Sequence, residues 1–216
     1  MEEAQMETPR VHSGIWLALA FLAAGATAFS FHRAQTRPEP PEVANAPANP
    51  PWRTTIAPAD ELGERIVISG QVFAPDGAQP VAGIMVYAYH TDADGHYARN
   101  GAIRPPRLQG WAKTDAQGRF EFRTIRPAPY PGRSIPAHVH FILWGAGYPR
   151  QWTEELRFQG DPFLTLEMLA ASSSAGKFAT VCPLQPGPPQ NGAASADGAA
   201  HCTFNLKVQR TSNFKE

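Results

Sequence analysis

The chain has 216 residues, 43% of them hydrophobic and 18% charged, with a formal net charge of zero. That length suits one sizeable domain with additions, and the balanced charge gives no support for nucleic-acid binding, which needs a basic footprint. The 22 prolines and 18 glycines announce many turns and linkers.

Residues 14–31, GIWLALAFLAAGATAFSF, form an uncharged apolar run, close to the minimum of about 17–25 residues for a bilayer-spanning helix. The ATA inside it resembles a small-residue cleavage site. Against cleavage, Glu2, Glu3 and Glu7 outweigh Arg10, so no positive leader region precedes the run. Residues 1–34 are therefore expected to be a signal-anchor or signal peptide. They would deliver the protein to the periplasm or cell surface, with the membrane anchor retained. Residues 35–59 are rich in Pro and Ala without periodicity and read as a semi-rigid tether. The folded domain is expected over 60–216.

Within it, RIVISGQVF (65–73) and GIMVYAYH (83–90) read as strands from their β-branched and aromatic content. A long turn-rich loop follows. WAKTDAQGRFEFRTI (111–125) reads as a hairpin bent at DAQG. After the loop RPAPYPGRSIP comes SIPAHVHFILW (134–144), another strand. EELRF is a short strand candidate, FLTLEMLAAS a short helix, and CTFNLKVQR (202–210) a closing strand. Many short strands and little helix predict an all-β fold, a sandwich of mainly antiparallel strands with long loops. In an exported chain, Cys182 and Cys202 are candidates for one disulfide.

Alternation along a strand places His138, His140 and Ile142 on one face, and Ala137, Val139, Phe141 and Leu143 on the other. Two imidazoles about 6–7 Å apart along the strand are compatible with two half-exposed histidines or with adjacent metal ligands. No convincing third histidine or carboxylate stands near the pair in sequence, whereas a zinc hydrolase wants a third such ligand. The nearby candidates are tyrosines. Tyr130 is locked between two prolines and Tyr97 follows DADGH, while Tyr87 and Tyr89 share a strand face suited to packing.

The segments GQVFAPDGAQPVAGIMVYAYHTDADGHYA, WAKTDAQGRFEFRTIRPAPYP, IPAHVHF and FQGDP resemble, in order and spacing, the intradiol ring-cleavage dioxygenases of the protocatechuate and catechol type. The resemblance covers about residues 65–162, and FRTIRPAPYP followed by PAHVHF is its most specific part. It implies a β-sandwich holding a non-haem Fe(III). Tyr97 and Tyr130 match the family's two tyrosine ligands, and His138 and His140 its two histidines. Tyr130 and His140 would be axial, Tyr97 and His138 equatorial, with hydroxide fifth. The implied partners are a small catechol-type aromatic and O2, and the implied product is a muconate-type diacid. Tyr130 would be catalytic, taking a substrate proton as it leaves the metal.

The sequence departs from the pattern at Ile135, where relatives acting on simple catechols commonly have Arg. Ile135, Arg133 and Arg126 are thus candidates for the substrate pocket, with Arg104 another possible substitute cation. An anchor and tether stand where catechol dioxygenases carry a helical dimerisation domain, and homo-oligomerisation stays open. The alternative reading is a catalytically weak or inactive metal- or ligand-binding β-sandwich of the same family.

Overall fold

The computed structural model describes residues 40–99, 105–186 and 198–214. The expected apolar segment at 14–31 and Arg104 lie outside them. Among the described residues no helix is long and apolar enough to cross a membrane.

Strands dominate because short runs rich in β-branched and aromatic residues are separated by turn residues. A short helix α1 (Pro41–Ala44) precedes β1 (Arg53–Thr55), β2 (Arg65–Phe73), β3 (Met85–His90), β4 (Leu108–Lys113), β5 (Arg119–Ile125), β6 (His138–Gly145), β7 (Tyr148–Trp152) and β8 (Leu156–Phe158). Helix α2 (Leu166–Ser174) follows, then the short strands β9 (Val181–Cys182), β10 (Gln185–Pro186), β11 (Ala200–Thr203) and β12 (Leu206–Lys207). One sheet runs β1-β5-β2-β11-β10, with β12 also on β2. The other runs β4-β3-β6-β8-β9, with β7 also on β6. The long pairings β2–β5, β3–β4 and β3–β6 are antiparallel. The short edge pairings β1–β5, β2–β11, β2–β12 and β8–β9 are parallel.

The two sheets enclose one core. Ile66, Ile68 and Val72 of β2 and Phe120 and Phe122 of β5 meet Val86 and Ala88 of β3 and Val139, Phe141 and Leu143 of β6. Phe141 sits centrally, its ring 6.3 Å from both Phe120 and Phe122 and 5.2 Å from Phe204. Each such large side chain contributes about 1.5–3 kcal/mol by leaving water. The disulfide Cys182–Cys202, with Cα atoms 6.1 Å apart, ties β9 of one sheet to β11 of the other.

Four expectations need correction. Residues 111–125 do contain the turn, closed by Gly118 N–H donating to the Asp115 carbonyl. But β4 pairs with β3, and β5 with β2 and β1, so the two strands diverge into opposite sheets instead of forming a hairpin. The expected tether, 35–59, and a domain start at 60 are also corrected over residues 40–59, the part of that segment the structure describes. Ile56 and Ala57 are buried in the core, and β1 adds a strand to β5. The Thr54 hydroxyl donates to the Trp111 carbonyl, and the Trp111 indole N–H donates to that of Glu42. Glu42 itself pairs with Arg150. Prolines kept this segment from showing periodicity, yet its few apolar residues find a core. The closing strand 202–210 is broken in two at Phe204–Asn205, where the chain crosses Gly70 so closely that a Cβ there would lie 1.9 Å from the Phe204 carbonyl oxygen. Strand β7 had no local signal. It exists because Gly145 and Gly147, both at positive φ, turn the chain back onto β6.

Candidate metal centre

The site is built on the outer face of the second sheet, away from the shared core. Strand β6 turns Val139, Phe141 and Leu143 inward, which obliges His138 and His140 to face out. Its start is pinned by Asp161, of the FQGDP segment, whose carboxylate accepts from the Ala137 amide at 2.9 Å. The ring of His138 is oriented by its own backbone, Nδ1 donating to the Pro136 carbonyl at 2.7 Å. A carbonyl only accepts, so Nδ1 carries a proton, which leaves Nε2 as the nitrogen free to offer a lone pair to a metal. His140 stacks on Tyr89, ring centroids 4.6 Å apart.

The two tyrosines arrive on loops stitched to each other. Asp92 closes the first: its Oδ1 accepts from the Asp94 and His96 amides at 3.1 and 2.9 Å. Gly95 has φ +84°, and a Cβ there would meet the Pro129 carbonyl at 2.1 Å; only glycine lets the Tyr97 turn nest against the Tyr130 loop. The Thr91 hydroxyl donates to the Ala128 carbonyl, and the Ala128 amide to that of Asp92. Arg107 locks the assembly. Its amide donates to the Tyr97 carbonyl at 2.7 Å, while its guanidinium bonds Glu61 on two oxygens and Asp92 at 3.3 Å. Burial pushes the Asp92 carboxyl up, but the His96 and Asp94 amides and Arg107 outweigh it and hold it below its usual value.

Four donor atoms converge as a result. Tyr97 Oη lies 2.9 Å from His140 Nε2. Tyr130 Oη lies 3.0 Å from His138 Nε2 and 3.2 Å from His140 Nε2. The two imidazole Nε2 atoms are 3.1 Å apart, and the two phenol oxygens form a short hydrogen bond. Burial pushes both phenols' pKa values up; the Tyr130 contact raises Tyr97 further, whereas Tyr130 is partly relieved by its bond to Tyr97 and by Arg133. The protein alone therefore keeps both phenols protonated, and a cation of high charge would reverse that.

The structure brings together all four residues singled out as ligands. Tyr87 and Tyr89 are buried packing residues, and Tyr89 additionally backs His140. Of the candidate pocket residues, Ile135 is 37% exposed on the approach to β6. Arg133 lies on the exposed turn after Tyr130. Arg126 is engaged with Glu64 at 3.6 Å. One residue was missed. Glu155 has Oε1 3.2 Å from His140 Nδ1 and 3.9 Å from His138 Nε2, and its ligand atom lies with theirs inside a 4.8 Å cluster. It is distant in sequence and reaches the pair because β8 aligns Arg157 opposite His138.

A dioxygenase family model matches residues 39–193. The protocatechuate 3,4-dioxygenase β chain of Burkholderia cepacia is 32% identical over 126 residues, 53% of each chain. Catechol 1,2-dioxygenase 1 of Acinetobacter lwoffii is 35% identical over 128 residues, 50% of this chain and 40% of its own. The chain thus spans about half the length of these relatives. Catechol 1,2-dioxygenase of Acinetobacter sp. ADP1 shares the fold at 21% identity and a TM-score of 0.57, over 76% of this chain and 59% of that one. So does the dioxygenase domain of a carbohydrate-binding fusion protein from Streptomyces sp. SirexAA-E, at 24% identity and 0.52, covering 76% and 92%.

Proposed function

The chain belongs to the intradiol ring-cleavage dioxygenase superfamily, and from that premise we propose that it is a non-haem Fe(III) dioxygenase. Its reaction is cleavage of a catechol-type aromatic between the two hydroxyl-bearing carbons. Both atoms of O2 enter the product, a muconate-type diacid, so no external reductant is required. The observation that carries this reading is the convergence of two phenols and two Nε2 atoms, with neighbouring distances of 2.9–3.2 Å.

The donor set fits a ferric ion. Two phenolates and two neutral imidazoles carry charge −2, leaving a trivalent metal one positive charge for hydroxide, whereas a divalent ion would already be neutralised before hydroxide binds. Tyr97, Tyr130, His138 and His140 would hold it. When bound, Fe(III) supplies the charge that ionises the phenols and the substrate hydroxyls and draws electron density from the aromatic ring, readying it for O2. The chain's own contributions are orientation and proton handling. His138 is held in the ligating tautomer by Pro136, and Tyr89 stacks on His140 while Trp152 meets that ring edge-on. Tyr130 is the residue assigned a proton: its oxygen accepts one substrate hydroxyl proton. Ile135 offers an apolar contact, which favours an uncharged ring substituent. The same Ile135 supports a second reading, a binding module that retains the metal without turnover.

Export belongs to the same proposal, supported by the apolar run at 14–31 and by the disulfide, which persists in oxidising compartments. Fractionation of the expressing cells tests it.

The test of function is to load the purified chain with iron and record its visible spectrum, then add catechol. The expected protein is red-brown from tyrosinate-to-iron charge transfer, its band shifts with catechol, and O2 is consumed mole for mole with diacid formed. Tyr130→Phe and His138→Ala each bleach or strongly alter the band. A coloured protein that binds catechol without consuming O2 selects the binding module, and a colourless, iron-free protein removes the ferric dioxygenase.

A further inference from the structure

Glu155 is the one carboxylate among the described residues that groups with the histidine pair, and nothing above gives it a role. Its two oxygens are used differently. Oε2 accepts from Arg157 Nη2 at 2.8 Å, which fixes the carboxylate from the strand that aligns with His138. Oε1 is left 3.2 Å from His140 Nδ1. The other nitrogen of that ring, Nε2, faces Tyr97, Tyr130 and His138. The two histidines are thus backed unequally. His138 Nδ1 donates to a neutral carbonyl, whereas His140 Nδ1 has a carboxylate oxygen at ion-pair distance, one that also stands 3.9 Å from His138 Nε2.

We propose that Glu155 is a positioning residue for His140: it keeps the proton on Nδ1, aims Nε2 at the metal position, and makes His140 the stronger donor of the pair. The inference rests on the ferric reading above. Physically, a carboxylate behind a ligating imidazole fixes the tautomer and raises ring basicity, and losing it typically costs about 10–100-fold in metal affinity. A stronger donor also makes the metal less electron-poor, so phenolate-to-metal charge transfer needs more energy. Glu155 is therefore set to hold the charge-transfer band at shorter wavelength and the metal's reduction potential lower than a neutral partner would.

The test compares the iron-loaded full chain with Glu155→Gln and Glu155→Asp. Gln keeps the shape and an oxygen for Arg157 but removes the charge, at a position whose side chain is 31% exposed, so folding is not at stake. Expected for Glu155→Gln are iron still bound one per chain, affinity lower by about 10–100-fold, a band moved to longer wavelength and a raised reduction potential. Glu155→Asp restores part of each. In the metal-free chain, imidazole nitrogen NMR should show His140 losing its preference for the Nδ1-protonated form in the Gln variant, a readout independent of iron. An unchanged band, affinity and tautomer in Glu155→Gln overturns the proposal. Loss of iron at saturating concentration also overturns it, because Glu155 would then be a ligand. A wild-type chain that binds no iron overturns the ferric reading itself, and this is distinguishable because it precedes any comparison with the variants.

Discussion

His90 is fully buried at the end of β3, its Nδ1 donating to the Thr91 carbonyl and its Nε2 accepting from the Thr124 hydroxyl, each at 2.7 Å. Both ring nitrogens are satisfied in the neutral form, and burial pulls the pKa down from 6.5 to about 4 despite the nearby Glu61 and Asp92 charges. Above pH 6.5 the ring is neutral whether folded or not. Between 6.5 and about 4 only the unfolded chain takes the proton, so stability is lost as pH falls through that window. The full loss is about 3 kcal/mol. Glu61 and Asp92, themselves held below 4.5 and 3.8, withdraw their contributions only at lower pH. Denaturant unfolding at about pH 7 and about pH 4.5 should show this decline in wild type and a flatter one in His90→Gln. Parallel profiles would assign the decline to other groups.

At the level of elements, the two tyrosine loops behave as one unit because Arg107 grips Glu61, Asp92 and the Tyr97 carbonyl together. Arg107→Ala leaves the Glu61 carboxylate, whose side chain is 6% exposed, without its cation. The expected cost is roughly 2–3 kcal/mol, below the 3–5 of a fully buried pair because Arg107 is itself 27% exposed. Equilibrium unfolding measures it, and the ferric band should weaken as Tyr97 loosens. A change under about 1 kcal/mol would mean the Asp92 turn holds itself. The sequence is legible here to the extent that structure is local. β2 follows from its β-branched content and the outward face of β6 from alternation, and the expected short helix appears as α2, capped by Thr165. The constrained tyrosines are legible too, because Pro and Gly state their own dihedral angles. What alternation does not state is the partner. It shows that β4 and β5 each have a buried face, and a tight turn between them suggests pairing, yet the faces are satisfied in different sheets. Glu155 was illegible for the same reason: strand pairing, not spacing, brings it to His140.

For the whole molecule, residues 40–59 are part of the folded body. Trp52 lies under Arg53 and Arg119 at 3.9 and 4.9 Å, Ile56 and Ala57 enter the core, and β1 extends one sheet while Thr54 bonds the other. A chain beginning at Asp60 should therefore melt well below one beginning at Pro40. Loss of the buried Ile56 alone is worth about 2–5 kcal/mol, and each kcal/mol moves Tm by about 2–4 °C in a protein of this size. Equal melting temperatures in calorimetry would return the segment to the status of a tether. The position of the metal centre has a consequence of another kind. Its two histidines stand on the outer face of β6, while the side chains that hold the two sheets together point the opposite way from the same strand. Substitutions of Tyr97, Tyr130, His138 and His140 open no void between the sheets. In evolutionary terms such a site and its scaffold are separately heritable. A lineage of such chains can surrender turnover, keep its architecture, and be recruited to new ligands on the same face without passing through an unfolded ancestor.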